Sequence, residues 1–318
     1  MSNEVISRRS LLAAGASAAV LTLGLTTARA AKPARSLRLA HLTDIHVQTE
    51  LAADQGFAAC LKHVQALADR PELILTGGDS IMDSFAQPRA RTATQWNTWH
   101  QALDAHCGLP VESCIGNHDI WGWDKVASKT TGDEPLHGKK RAIEALKLSG
   151  RYRSFDKAGW HFVVLDSTQP GAKPGSYTAY LDDEQFDWLG KDLAAVKAGT
   201  PVLVMSHIPI LSAAAFFDGE NAKSGDWRVP GAWMHIDAAK IKDLFAKHPN
   251  VKVCLSGHLH LVDRVDYNGV TYLCDGAVCG GWWKGNYHEC APGYAVLDLY
   301  PDGSFERQYV TYGWEPKS

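Results

Sequence analysis

Five short apolar runs in this chain each close on a cluster of groups that bind metals or move protons. Leu37 to Leu42 leads to Asp44-Ile45-His46, and Glu72 to Thr76 leads to Gly77-Gly78-Asp79. Val111 to Ile115 leads to Gly116-Asn117-His118-Asp119, Pro201 to Met205 to Ser206-His207, and Val251 to Leu255 to Gly257-His258-Leu259-His260. A strand interior would bury an amide, an imidazole or a carboxylate unpaired, so these clusters belong on turns at strand ends. One such cluster is a weak signal; five in one chain are hard to explain by chance.

Between the first three runs lie two stretches of helical periodicity. One is Asp54 to Arg70, with Phe57, Cys60, Leu61, Val64 and Leu67 on one face and a stop at Pro71; the other is Thr92 to His106. The resulting β-α-β-α-β order predicts an α/β fold with a partly parallel sheet flanked by helices. Residues 121–138 read as a polar, glycine-rich loop beside the site, and Lys139 to Leu148 as a short helix. Trp160 to Leu165 is another strand, and Asp182 and Asp183 cap a helix reaching about Ala198. The stretch of about 211–236 carries Phe216, Phe217, Trp227 and Trp233 with no clear period, as a lid or cap insertion would. Beyond about residue 261 the pattern turns to hairpins, one through Asn268-Gly269 and one through Pro301-Asp302-Gly303, which predicts a second, more antiparallel sheet. There is no linker or internal repeat, so residues 31–318 read as one domain.

The first thirty residues read differently. Ser7-Arg8-Arg9-Ser10-Leu11-Leu12 carries a twin arginine, no charge follows from Leu11 to Thr27, and Ala28-Arg29-Ala30 has the small-x-small cleavage pattern. This is the pattern of a Tat signal peptide over residues 1–30, which predicts export to the periplasm or medium through the Tat machinery. The apolar run is short and weakly hydrophobic for a span, so no stable membrane insertion is expected after its removal. A formal net charge of −3 gives no case for a nucleic-acid polymer or an anionic membrane as partner. The seven cysteines include no CxxC pair, and an odd count leaves at least one thiol free. Cys107 with Cys114, or two of Cys274, Cys279 and Cys290, are disulfide candidates in an exported protein; small buried apolar residues are the plainer reading.

Asp, His and Asn side chains gathered without thiolate suit divalent ions such as Mn, Fe or Zn. Asp44 and His46 can turn toward one cavity, a carboxylate such as Asp79 can bridge two ions, and Asn117 can offer a neutral oxygen. His207, His258 and His260 complete the shells. Two such ions acidify a shared water and clamp a phosphoryl oxygen, which is phosphoester hydrolysis.

In order and spacing, D-x-H, G-D, G-N-H-D, a lone His after an apolar strand, and G-H-x-H resemble the calcineurin-like metallophosphoesterases, the superfamily that includes class III cyclic-nucleotide phosphodiesterases. The resemblance runs from about Leu37 to Val265 and implies a four-layer αββα sandwich of two mixed sheets with a dinuclear centre at the strand ends. It implies Asp44, His46 and His260 on one ion, Asn117, His207 and His258 on the other, and Asp79 between them. His118 would face a small phosphoester and protonate its leaving oxygen, with Asp119 orienting the loop or His118. Phosphodiesters are favoured over monoesters. The rival reading is a metal-binding interaction protein on the same fold that has lost catalysis, against which the intact His118 speaks. One departure stands out. Many members carry G-D-x-x-D, but here Met82 holds that last position and Asp83 follows it. Asp83 is either a substitute partner for His118 or surface charge. The aromatic segment after G-H-x-H, with Trp282, Trp283, Tyr287 and His288, is similar to segments in some bacterial members; its Trp rings either stack on substrate or pack against the second sheet.

Overall fold

The chain alternates strands and helices as far as the second sheet, then finishes in hairpins. A computed structural model describes residues 33–317; the expected signal peptide lies outside them. The first part is β1 (Leu37–Leu42), α1 (Ala53–Ala66), β2 (Leu73–Thr76), α2 (Arg89–His106) and β3 (Val111–Ser113). Next come α3 (Lys125–Ser128), α4 (Lys139–Ala145), β4 (Arg153–Lys157), β5 (Trp160–Val164), β6 (Thr168–Pro170), β7 (Tyr177–Ala179), α5 (Asp183–Ala195) and β8 (Val202–Met205). A 3₁₀ turn at Ala214–Phe216 precedes α6 (Ala238–Phe245), β9 (Val251–Ser256), β10 (Asp263–Tyr267), β11 (Val270–Cys274), β12 (Gly293–Leu299) and β13 (Phe305–Thr311).

One sheet has the order β13-β12-β1-β2-β3 and the other β10-β11-β9-β8-β5-β4. The strands β1, β2 and β3 are parallel, as are β5, β8 and β9. Alternation along each strand divides the core into layers. Leu39 and Leu75 of the first sheet meet Phe162, Leu203 and Leu255 of the second. On its other face the first sheet sets Ala40, Leu42 and Ile74 against Phe57 and Leu61 of α1 and Trp96 and Trp99 of α2. The second sets Val163, Val204 and Cys254 against Leu189 and Leu193 of α5 and Ile241 and Phe245 of α6. The result is the α/β four-layer αββα sandwich. Each fully buried leucine or valine here contributes on the order of 2 kcal/mol. α5 starts where expected, with the Asp182 carboxylate accepting from Gln185 N at 3.0 Å.

The C-terminal hairpins do not build a separate antiparallel sheet. β12 pairs with β1 and extends the first sheet, while β11 pairs with β9 and extends the second. Each hairpin covers an edge of strands whose N–H and C=O groups would otherwise lie open, which explains the split. Asn268 and Gly269 both have positive φ (51° and 81°), as a tight hairpin turn requires. Residues 121–138, expected as loop, contain the short α3. All seven cysteines are free thiols. No helix among the described residues is long and apolar enough to cross a membrane.

Candidate metal centre

Because β1, β2, β3, β8 and β9 are parallel within their sheets, their C-terminal ends deliver the polar clusters to one crevice. The turns are stitched directly together: Asp44 N donates to Gly78 O at 3.1 Å, and Ile45 N and His46 N both donate to Asp79 O at 3.0 and 2.9 Å. Two glycines permit this closeness. A methyl group on Gly257 would collide with Thr43 Oγ1 and Asp44 Oδ2, and one on Gly116 with the Asp79 carboxylate. Asp44, His46, Asp79, His258 and His260 all adopt positive φ, between 47° and 70°. Each such L-residue costs roughly 1 kcal/mol or more, a cost that residues with no local task rarely carry.

The side chains are oriented just as firmly. His207 Nδ1 lies 2.8 Å from Gly77 O, His260 Nδ1 2.7 Å from Gly280 O, and His46 Nδ1 3.4 Å from Met82 O. With Nδ1–H donating to a carbonyl, Nε2 is left as a lone pair aimed into the crevice. There it meets carboxylates. His46 Nε2 is 3.6 Å from Asp79 Oδ2, His207 Nε2 is 3.2 Å from the same oxygen, and His260 Nε2 is 3.4 Å from Asp44 Oδ1. Asn117 Oδ1 is 3.1 Å from His207 Nε2. Asp44 Oδ1 and His46 Nε2 are buried with no hydrogen-bond partner. Lone pairs facing carboxylate oxygens in a dry pocket repel unless a cation lies between them, and N/O donors of this kind are what a divalent ion takes. The residues present therefore fit metal.

The electrostatics agree. Burial drives the His46 and His258 imidazoles down to about 3, so both are neutral ligands at neutral pH. Burial pushes the His207 imidazole down, but Asp79 and its hydrogen bond outweigh this and raise it to about 9. Burial likewise pushes the Asp79 carboxyl up, and the surrounding imidazoles outweigh it and hold it well below the carboxylate range. Both shifts have one cause, the close approach of His207 Nε2 and Asp79 Oδ2 at 3.2 Å. Asp79, His207 and His258 form one compact donor group, and His46 with Asp79 and His118 another, sharing Asp79.

His118, like His258, is only partly buried. Its side chain is 33% exposed, its backbone N donates to Asp79 Oδ1 at 2.8 Å, and its carbonyl accepts from Ser84 Oγ at 2.9 Å. Its Nδ1 is 3.6 Å from Asp83 Oδ1. The carboxylate displaced by one residue therefore still reaches His118, and backbone N–H groups of Phe85 (2.8 Å) and Ala86 (3.3 Å) fix it there.

A family model described as Calcineurin-like phosphoesterase matches residues 37–262. The chain belongs to that family. It is a metal-dependent phosphoesterase, and its donor set is consistent with two divalent ions. A 3',5'-cyclic adenosine monophosphate phosphodiesterase of Pseudomonas aeruginosa is 28% identical over 284 residues, covering 85% of this chain and 88% of the relative. A 3',5'-cyclic-nucleotide phosphodiesterase of Nostoc sp. is 25% identical over 285 residues, covering 85% and 90%. Among solved structures, a dimetal phosphatase from Danio rerio shares the fold with a TM-score of 0.59 and 15% identity, covering 88% of this chain and 100% of that one.

Within this phosphoesterase frame one residue considered for substrate contact is placed elsewhere. Trp283 is 1% exposed and packs in the core between the first sheet and its helices. Its Nε1 donates to His46 O at 2.9 Å, so it supports the floor from behind rather than meeting substrate. Asp119, expected to orient the loop or His118, is fully buried. Its carboxylate accepts from Gly116 N and Ser80 N, both at 2.9 Å, and so ties the β2 and β3 turns together. Burial and neighbouring Asp79 raise its carboxyl to about 7.

Trp282 does reach the site. Its ring lies 4.5 Å from that of His260, and it lines a cavity of about 460 Å³ together with His46, Asp79, His118 and His258. Sequence reasoning missed Tyr177 from β7 and Asp218 on that wall, and it named Tyr287 and His288 only as members of the aromatic segment after G-H-x-H. The 211–236 segment contributes Asp218 and Trp233 to the cavity and leaves Phe216, Phe217 and Trp227 exposed. It is anchored where it begins, Ser212 Oγ and Ala214 N donating to Asp263 Oδ2 at 2.7 and 2.8 Å. Cys279, considered above for a disulfide, instead sits behind His260, its Sγ 4.0 Å from Nδ1.

Proposed function

We propose that the mature chain, residues 31–318 as one domain, hydrolyses small phosphodiesters at a dinuclear centre. Asp44, His46 and His260 would hold one ion, Asn117, His207 and His258 the second, with Asp79 shared. Such ions supply a water acidified to near neutral pH and positive charge against the phosphoryl oxygens. The observation that carries the reading is Asp79, whose Oδ2 lies within 3.6 Å of an imidazole Nε2 from each donor set. Mn, Fe and Zn all suit these donors.

The chain's own residues do the rest. His118 holds its proton on the cavity side: Nδ1 faces Asp83, which leaves Nε2 to donate to the departing oxygen. Asp119 keeps the His118 turn in register with the Asp79 turn through the backbone N–H groups of Gly116, Ser80 and Ile81. Diesters are favoured over monoesters because, among the described residues, no lysine or arginine lines the cavity to meet a second phosphate charge. Cyclic nucleotides, named for the bacterial relatives, are one such class. The half-exposed His118 beside the donors speaks against an inactive binding protein. The test is mature protein loaded with manganese or iron. About two ions per chain by elemental analysis, and hydrolysis of bis-p-nitrophenyl phosphate, are expected; a chain holding at most one ion would sink the dinuclear reading.

Arg8-Arg9 with the apolar run and Ala28-Arg29-Ala30 support export through Tat to the periplasm or medium. Lys in place of both arginines should leave the precursor in the cytoplasm; unchanged export on fractionation would point to another route.

A further inference from the structure

The catalytic floor accounts for one side of the cavity; its opposite wall is aromatic and acidic. Trp282 and Tyr287 meet edge to face, their rings 5.3 Å apart at 88°. The Tyr287 hydroxyl donates to Asp218 Oδ1, which joins the 211–236 segment to the loop after β11. Trp233 packs beneath the next residue, Gly219, where a methyl group would strike its ring. Asp218, Gly219, Trp233, Trp282 and Tyr287 line the same cavity as His118.

From this wall we propose a subsite for a compact organic cation, so that the preferred substrate is a phosphodiester with one ammonium-bearing substituent, such as a choline ester. The inference rests on the phosphodiesterase reading above. A flat base asks for roughly parallel faces to slide between, whereas these rings form a near-perpendicular corner. One face of Trp282 is already given to His260, at 34° to it. A rounded cation fits a corner, because it can sit over the π-face of one ring and close to another. Asp218 supplies the charge. Oδ1 accepts the tyrosine hydrogen bond, and among the described residues no lysine or arginine lines the cavity to pair with this carboxylate. A second phosphate would be repelled there and an ammonium attracted. The substrate is then matched at both ends, its phosphate on the donor floor and its cation on the wall.

The experiment compares p-nitrophenyl phosphorylcholine with p-nitrophenyl 3,3-dimethylbutyl phosphate, whose substituent has the same shape without the charge. The metal-loaded enzyme should favour the choline ester roughly ten- to thirtyfold in kcat/KM, the range of a desolvated cation–π contact. Asp218→Asn and Trp282→Leu should each bring the ratio toward one. Choline chloride should quench tryptophan fluorescence saturably in the wild type, and 3,3-dimethylbutanol should not. Equal rates for the two esters, or equal quenching, overturn the cation subsite while leaving the phosphodiesterase reading in place. Failure to hydrolyse bis-p-nitrophenyl phosphate as well would overturn that reading instead. Preference for cyclic adenosine monophosphate over the choline ester, unchanged in Asp218→Asn, would assign the wall to a base.

Discussion

The floor and the wall of the cavity are built in opposite ways. The floor comes from turns of a few residues directly at strand ends; nearly all its side chains are buried, and backbone carbonyls hold His46, His207 and His260. The wall comes from two irregular segments, and its Trp282 is 36% exposed. A floor that must set several donors within tenths of an ångström needs the rigidity of sheet ends; a wall that only selects among substituents does not. On this view changes to the floor should act on chemistry, and changes to the wall on recognition.

The contrast breaks first, if it breaks, at His118. His118→Ala should keep both ions and lose on the order of 10²–10⁴ in kcat, least for substrates whose leaving group needs no proton. Metal lost in parallel with activity would return His118 to the donor set. Next come the adjacent tryptophans, which lie on either side of the boundary. Trp283→Ala should cost about 3–5 kcal/mol in urea unfolding, since a fully buried indole leaves a cavity. Trp282→Ala should leave stability nearly unchanged and raise KM more than it lowers kcat. Similar unfolding midpoints for the two variants would erase the division.

The smallest effect concerns Asp83. Burial lowers the His118 imidazole, but Asp79 and Asp83 outweigh it, so His118 keeps its proton above its usual pH range. A general acid works while protonated, so kcat should fall as pH rises through that raised value. Asp83→Asn removes one of the charges that raise it. The alkaline fall should therefore move to lower pH, with less than about a tenfold loss at the plateau. A pH profile that does not move would make Asp83 a loop residue only.

The floor was legible in the sequence because its residue types have no business at the end of an apolar run unless they share a site. Asp44, His46, Asp79, Asn117, His207, His258 and His260 were read that way, and the structure gathers them. The wall left no such mark. Asp218 and Tyr287 lie 69 residues apart and neither belongs to a strand-end cluster, so only a surplus of aromatics hinted at their region. Trp282 and Trp283 are neighbours on a loop where both have positive φ (52° and 67°), so no strand or helix period says which one faces inward. The C-terminal hairpins were visible as hairpins, but a turn and two apolar runs carry no information about which sheet edge they join. β4 escaped notice because Arg153-Ser154-Phe155-Asp156-Lys157 is mostly polar; it is an edge strand.

One residue far from every motif carries a further consequence. Gly56 lies inside α1, where glycine is roughly 1 kcal/mol worse than alanine, and the Trp283 indole occupies the place its side chain would take. The two positions are therefore not free to drift independently. Evolution, or an engineer seeking a better helix, can install alanine at 56 only by shrinking 283, and shrinking 283 releases the carbonyl of His46. Stabilising the helix alone would reach the catalytic floor by way of a single ring. Gly56→Ala and Trp283→Phe should accordingly be far less harmful together than their separate costs would sum to.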